Sequence, residues 1–288
     1  MQNDPPPLPE SCPGGDGQPG RRMGAEAYRQ GTISHRVPEE LHRLHLLEQV
    51  LDPGTIAILD RLGVAPTWRC AELGAGAGSV AGWLADRCPD GRVVATDIDT
   101  DFLRRTNGPE NLEILQHDAA VDDFTPGSFD LVHARALLSH IRDRDAVLAK
   151  MAAWLAPGGW LVVEDAVFLP AEASPYPEFR ELLWAIETLF AQVQGSDVRW
   201  GRRIPAALAG CGLVDVGLSV TPSVCGNGGI HQEFWRANFT QAAAAIVQTG
   251  LLTTVEVDTA VNCLEDPGFS DLACLFVSGW ARKPELVP

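Results

Sequence analysis

The sequence predicts an α/β chain built on a doubly wound, mostly parallel sheet. Two observations carry this. Between Trp68 and Val167, short apolar strands alternate with helical stretches five times, the rhythm of strand–crossover–strand units. The first of those strands also runs straight into a glycine-rich turn and a helix start, CAELGAGAGSVAGWLA from Cys70 to Ala85. Gly74, Gly76 and Gly78 let the backbone turn sharply and leave no Cβ in the way of a ligand. The helix behind them offers free N–H groups and a positive dipole end. The turn therefore reads as the cradle for the polar part of a cofactor, although glycines also serve many βα turns structurally.

Met1 to Arg22 is rich in Pro, Gly and Asp and is expected to be a disordered leader (1–22) without a core of its own. Residues 23–66 form a helical arm. Within Val37–Val64, Leu41, Leu44, Leu47 and Leu51 recur at helical spacing. Pro53-Gly54 then breaks the pattern, Ile56, Leu59 and Leu62 resume it, and Gly63 stops it, so two helices are expected. The arm either packs on the main domain or acts as a lid, carrying Tyr28, Arg43 and Gln49 inward.

The main domain is placed at 67–288. After the glycine turn, Val93–Ala95 form a second buried strand ending at Asp97. An acid about 20 residues past the glycines, at a strand end, suits a ribose, and Ile98 follows it against an adenine face. Leu112–Val121 is the third strand, with Asp118 at its exit. Phe129–Ile141 holds the fourth, passing into a helix near Arg135. Asp145–Leu155 is a helix stopped by APGG, and Trp160–Val167 is the fifth strand. Phe179–Gln194 reads as an amphipathic helix. Gly210–Val220 and Leu272–Lys283 supply two closing strands, for seven in all. Residues 225–271 between them form a cap insertion, and a connection that long is usually functional.

Composition bounds the partners. The chain has 288 residues, 45% apolar and 21% charged, with a formal charge of −16. That acidity argues against nucleic acid, which needs a basic surface. No apolar run approaches the roughly 20 residues of a membrane span, and Asp4 and Pro5–Pro7 stand where a signal peptide would need a basic start and an apolar core. A cytoplasmic protein is expected. The seven cysteines include no C-x-x-C pair and read as buried thiols, implying neither a zinc site nor a disulfide framework.

ELGAGAG, Asp97 ending strand two, HDA after strand three, FDLVHAR in strand four and APGGWLVVED into strand five together resemble the class I S-adenosylmethionine-dependent methyltransferases, of the small-molecule, natural-product type. The match covers about Tyr28–Val167 and the last two strands. A dinucleotide G-x-G-x-x-G would need glycine at Ser79, whereas this chain has it one place early, at Gly78. The resemblance implies a Rossmann-like fold, with S-adenosylmethionine as cofactor and S-adenosylhomocysteine as product. By the same resemblance, Glu72, Gly74, Ala75 and Gly76 hold the amino acid end of the cofactor. Asp97 accepts from the ribose hydroxyls, Ile98 lies on the adenine, Asp118 and Ala119 meet the adenine edge, and Arg135 sits beside the methionine portion. For Asp118 a helix cap is the competing reading.

For the chemistry, His140 and Asp165 follow the carboxyl ends of central strands, and related O-methyltransferases have a similar histidine and acid there. His140 is the expected general base, with Asp165 orienting its imidazole and favouring the charged form. The bland alternative is that His140 caps its helix and Asp165 is a loop carboxylate. His117, His133 and His231 are weaker candidates, and His133 reads as buried in its strand. No ligand cluster calls for a metal. His231, Phe234, Trp235 and Phe239 on the insertion either wall an acceptor pocket or pack the core. The expected partners are a small-molecule acceptor and, left open, a second copy of the chain as a homodimer. The expected activity is O-methylation of a specialised metabolite. The same fold using the cofactor in a cyclisation, or as a binding module, is the alternative.

Overall fold

The computed structural model describes residues 31–105, 108–226 and 228–285. Its centre is a seven-stranded sheet in the order β3-β2-β1-β4-β5-β7-β6. The strands are β1 (Arg69–Leu73), β2 (Arg92–Asp97), β3 (Leu112–Gln116), β4 (Phe129–Arg135), β5 (Leu155–Phe168), β6 (Val214–Gly226) and β7 (Ser270–Arg282). The first five pair in parallel, and β7 inserts antiparallel between β5 and β6. The parallel strands are nearly continuous apolar runs because helices cover both faces. Cys70, Ala71, Val93, Ala95, Leu131, Val132, Leu161 and Val162 are buried. The order reverses between β1 and β4, so the carboxyl ends of those strands open into a crevice.

The helices are α1 (Glu40–Leu62), α2 (Ser79–Arg87), α3 (Arg144–Trp154), α4 (Pro177–Leu189), α5 (Ile204–Gly210), α6 (Gly229–Gln248) and α7 (Thr254–Asn262). The arm departs from expectation. Pro53-Gly54 does not divide it, and α1 runs through both as one helix of 23 residues. Proline removes one ladder bond and crowds the preceding turn. Tertiary anchoring on either side compensates, since Leu51, Ile58 and Leu59 are buried and Asp52 and Thr55 bond to other elements. Gly63 ends the helix with left-handed φ +79.

The helix stops before APGG as expected, at Trp154. Ala156–Gly159 then lie inside the start of β5, because Leu155 already pairs with Phe129 and a register shift follows before Leu131 meets Trp160. β3 is shorter than expected. After Gln116 the backbone turns, with Asp118 Oδ1 accepting from the Ala120 N–H at 3.0 Å.

Two large apolar clusters flank the sheet. One holds Trp154, Trp200, Leu148 and Met151 with β1, β4 and β5. The other lies under the insertion and unites Phe179, Leu182 and Ile186 of α4 with Phe234, Trp235 and Phe239 of α6. The amphipathic reading of α4 holds, and its end unwinds into a wider turn at Phe190–Gln194. Among the described residues no helix is long and apolar enough to cross a membrane.

Replacing Pro53 by Ala restores the missing N–H within α1. Thermal melts should show a stabilisation on the order of 1–2 kcal/mol, or roughly 3–6 °C. A lower melting temperature would mean that the pyrrolidine ring itself is required there.

Candidate functional site

The crevice is floored by the glycine turn between β1 and α2. Gly74, Gly76 and Gly78 have φ +65, +58 and +97, a left-handed backbone that side chains with a Cβ rarely adopt. A Cβ on Gly76 would meet Leu44 of α1 at 3.4 Å, and one on Gly74 would meet Leu137 at 3.1 Å. The turn is thus roofed closely by two leucines. Ala75 ties it to β2 by donating its N–H to the Thr96 carbonyl at 2.9 Å.

Asp97 closes β2 beside this turn. Its Oδ2 accepts from the Gly76 N–H at 2.9 Å and its Oδ1 from Asp99 N–H at 3.1 Å. Burial pushes its pKa up, against the pull of these donors and of His35. A carboxylate with two donors and four lone-pair sites can accept further hydrogen bonds from a ligand. Ile98 next to it is half-buried, and its carbonyl accepts from Gln116 Nε2 at 3.0 Å. Asp118 is half-buried and caps its own turn as described, while Ala119 is buried in the core beside it.

The start of α2 is lined by acid. Glu48 Oε1 accepts from the Ser79 N–H at 3.2 Å, and Asp52 Oδ1 accepts from Ser79 Oγ at 3.1 Å. Both carboxylates come from α1 and face the positive end of α2. Burial raises the Glu48 pKa, with the Asp52 charge adding to it.

Beneath the turn lies a polar relay across the sheet. Glu72 Oε2 is 2.5 Å from His133 Nδ1, and His133 Nε2 is 3.0 Å from Glu164 Oε2. Glu164 also accepts from Thr55 Oγ1 and from Ser278 Oγ, both at 2.5 Å. Arg135 donates Nη1 to Thr55 Oγ1 at 2.9 Å and Nη2 to Asp52 Oδ1 at 2.8 Å. His133 is wholly buried. Burial opposes its charge, but Glu72 and Glu164 outweigh that and push its pKa up to about 9. Burial likewise opposes charge on Glu164, yet His133, Arg135 and Ser278 draw its pKa down to about 2.

The relay engages two of the expected cofactor residues: His133 takes one Glu72 oxygen, and Arg135 bonds Asp52 and Thr55 of α1. Gln49 departs from expectation, since its side chain is exposed and bonds the His45 carbonyl of its own helix. Glu48, one residue earlier, is the side chain that turns inward. Tyr28 lies outside the described residues.

The expected catalytic pair is not a pair. His140 Nδ1 is 3.0 Å from Ser196 Oγ, and its ring stands edge-on to Phe190 at 6.0 Å. Asp165 accepts instead from the Ser139 N–H at 2.9 Å and the Ala166 N–H at 3.1 Å. The N–H of the Leu138–His140 turn needs an acceptor, and Asp165 is spent on it. Burial, then Arg43 and Arg144, hold the His140 pKa down to about 4, so the imidazole is neutral rather than charged. Burial raises Asp165 to about 6. His140 Nε2 has no hydrogen-bond partner among the described residues.

Phe190, which meets His140 edge-on, also lines a small cavity of about 20 Å³, water-sized, together with Arg43, Phe168, Ile186, Trp235 and Phe239 among others. Trp235 and Phe239 both wall it and pack the core. Phe234 does not line it and packs against Phe276. His231 is half-buried, with Nδ1 at a long 3.5 Å from Ser223 Oγ. His117 is buried flat against Phe124 at 4.6 Å, away from the pocket lining. The site residues that sequence reasoning missed are Glu48, Asp52, Thr55, Glu164 and Ser196. Only tertiary pairing picks them out, although Glu48, Asp52 and Thr55 do share the α1 stripe at three- and four-residue spacing.

Comparison with known proteins matches part of the chain to a family and its fold to solved structures. Residues 71–161 match the family model described as a methyltransferase domain. Methyltransferase str3 of Strobilurus tenacellus is 39% identical over 101 residues, covering 35% of this chain and 36% of that protein. The chain thus matches about a third of that relative's length. Among solved structures, a methyltransferase-like protein of Bacillus halodurans aligns with TM-score 0.53 and 17% identity, over 80% of this chain and 98% of its own. The [4+2]-cyclase SpnF aligns with TM-score 0.51 and 16% identity, over 82% of each chain.

The His133 relay makes stability pH-dependent. Its folded pKa is raised from 6.5, so the stabilisation is complete below that value and is lost as pH rises through about 9. The size is about 3 kcal/mol. Thermal melts of wild type and His133→Gln should differ clearly at pH 6.5, and the gap should narrow above pH 9.

Proposed function

We propose, from the methyltransferase-domain match over residues 71–161 and the fold, that the chain is a class I methyltransferase that moves a methyl group from S-adenosylmethionine to a small-molecule acceptor of specialised metabolism. The observation that carries this reading is the acidic lining of the crevice. Glu48 and Asp52 occupy the helix start where a dinucleotide's pyrophosphate would need empty N–H groups. Carboxylates at that place favour a cationic ligand and disfavour a nicotinamide cofactor. The other residues fit as well. Asp97 is a buried carboxylate with acceptor capacity to spare for a vicinal diol.

S-adenosylmethionine supplies an activated methyl group on a sulfonium centre. The chain must exclude water, align the acceptor and remove a proton where the acceptor carries one. Alignment of that kind contributes on the order of 7–11 kcal/mol in ideal cases. Phe168, Phe190, Trp235 and Phe239 give the water-sized cavity near His140 an apolar wall, so an aromatic acceptor would seat there only when α1 or α6 moves aside. Arg43 there is already paired bidentately with Glu40 at 2.6 and 2.8 Å, so it offers little to an anionic acceptor.

We assign His140 as the general base for O-methylation, acting through Nε2 while Ser196 holds Nδ1. A base with a pKa near 4 is neutral and available but holds a proton weakly, which matches an acidic hydroxyl such as a phenol or enol better than an aliphatic alcohol. The same weak basicity favours one second reading, a cyclisation that removes no proton. SpnF is a cyclase on this fold, and fold alone does not choose between the two.

Calorimetry with S-adenosylhomocysteine should show micromolar binding, and Asp97→Ala should weaken it at least about tenfold. No binding at millimolar ligand overturns the cofactor. With an accepted substrate, His140→Ala should lower kcat by about 100-fold or more with the cofactor Kd unchanged. Turnover without release of S-adenosylhomocysteine would favour the cyclase reading.

A further inference from the structure

The relay beneath the glycine turn touches no part of the pocket lining, yet it ends on α1, the helix that roofs the cofactor crevice. It crosses four neighbouring strands, with Glu72 on β1, His133 on β4, Glu164 on β5 and Ser278 on β7. Its last member is Thr55, which donates to Glu164 and accepts from Arg135. Arg135 then reaches Asp52, and Asp52 reaches Ser79 at the far side of the glycine turn. The path therefore closes a loop, from Glu72 just before the glycines to Ser79 just after them, by way of α1.

Packing does not require these groups. Apolar residues of similar volume would hold a sheet interior at least as well as buried ions, which lose their hydration. Polar bonds do what apolar contacts cannot, which is to fix the rotation of a helix. Leu51, Ile58 and Leu59 keep α1 on the domain, and the bonds of Asp52 and Thr55 decide which side of it faces the turn. That orientation puts Glu48 and Asp52 over Ser79 and Leu44 over Gly76.

We propose that the Glu72–His133–Glu164 relay is a latch that holds α1 closed over the cofactor crevice, with Thr55 as its catch. Thr55 and His133 are then positioning residues that set cofactor affinity without touching the cofactor. The identity of the ligand, though not the latch itself, rests on the function proposed above. Opening α1 leaves Glu164 short of one donor and frees Arg135 and Asp52 together, so the helix releases as a unit.

The test uses Thr55→Val, which keeps the shape and the buried charges but removes the hydroxyl. The full chain is measured by calorimetry with S-adenosylhomocysteine, by hydrogen exchange over residues 40–62 and by thermal melts. The expected result is a Kd raised at least about tenfold and faster exchange in residues 40–62 but not in residues 254–262. Thr55→Ser should restore both. A lower melting temperature with unchanged Kd and unchanged exchange would reduce Thr55 to a packing residue and overturn the latch. If the wild type binds no S-adenosylhomocysteine, the proposed cofactor falls, and the exchange data alone decide the latch: unchanged exchange in Thr55→Val overturns it.

Discussion

A protonated imidazole held between two carboxylates in the middle of a parallel sheet is the constraint from which the rest of the crevice follows. Removing three charges from water is costly, and one missing partner would leave an uncompensated ion in the core. The sequence meets that demand from four strands and a helix. Each carboxylate of the relay has His133, and Glu164 adds two hydroxyls. A network satisfied to this degree is rigid. The strand tips that bear the glycine turn and Asp97 are therefore set on a stiff base, as a preorganised site requires.

Two halves of the crevice differ in chemistry. The side under the start of α1 and α6 is aromatic, with Arg43 neutralised by Glu40 and hydrogen-bonded to Asn238 at 3.4 Å. The side at the glycine turn is acidic, through Glu48, Asp52 and Asp97. His140 stands at the aromatic side on a short turn that Asp165 fastens from below. The acid that seemed to orient the imidazole instead orients the backbone that carries it. That is a smaller role, but it still fixes where the ring lies.

The strand–helix rhythm, the glycine turn, the acid at the end of β2 and the long insertion were all legible in the residues, because each is a local pattern. Burial of Phe234, Trp235 and Phe239 was legible too, but not which of them would reach the pocket, since that depends on the rotation of α6 against α4. The relay was illegible for a physical reason. Glu72, His133 and Glu164 each sit in an apolar strand, where a lone polar residue signals a buried partner without naming it. Pro53-Gly54 misled in the other direction. Local propensity marks a break there, and the contacts of Leu51, Asp52 and Thr55 override it. The Asp165 reading failed for want of one fact, that the Ser139 N–H had no other acceptor.

Arg43 and Leu44 are consecutive residues of α1, and they serve different chambers. One lines the aromatic pocket and the other lies over Gly76. A single rigid helix is thus the party wall between two compartments. Whatever displaces it on one side is felt on the other, and any coupling that results is reciprocal: each occupant would change the other's affinity by the same factor.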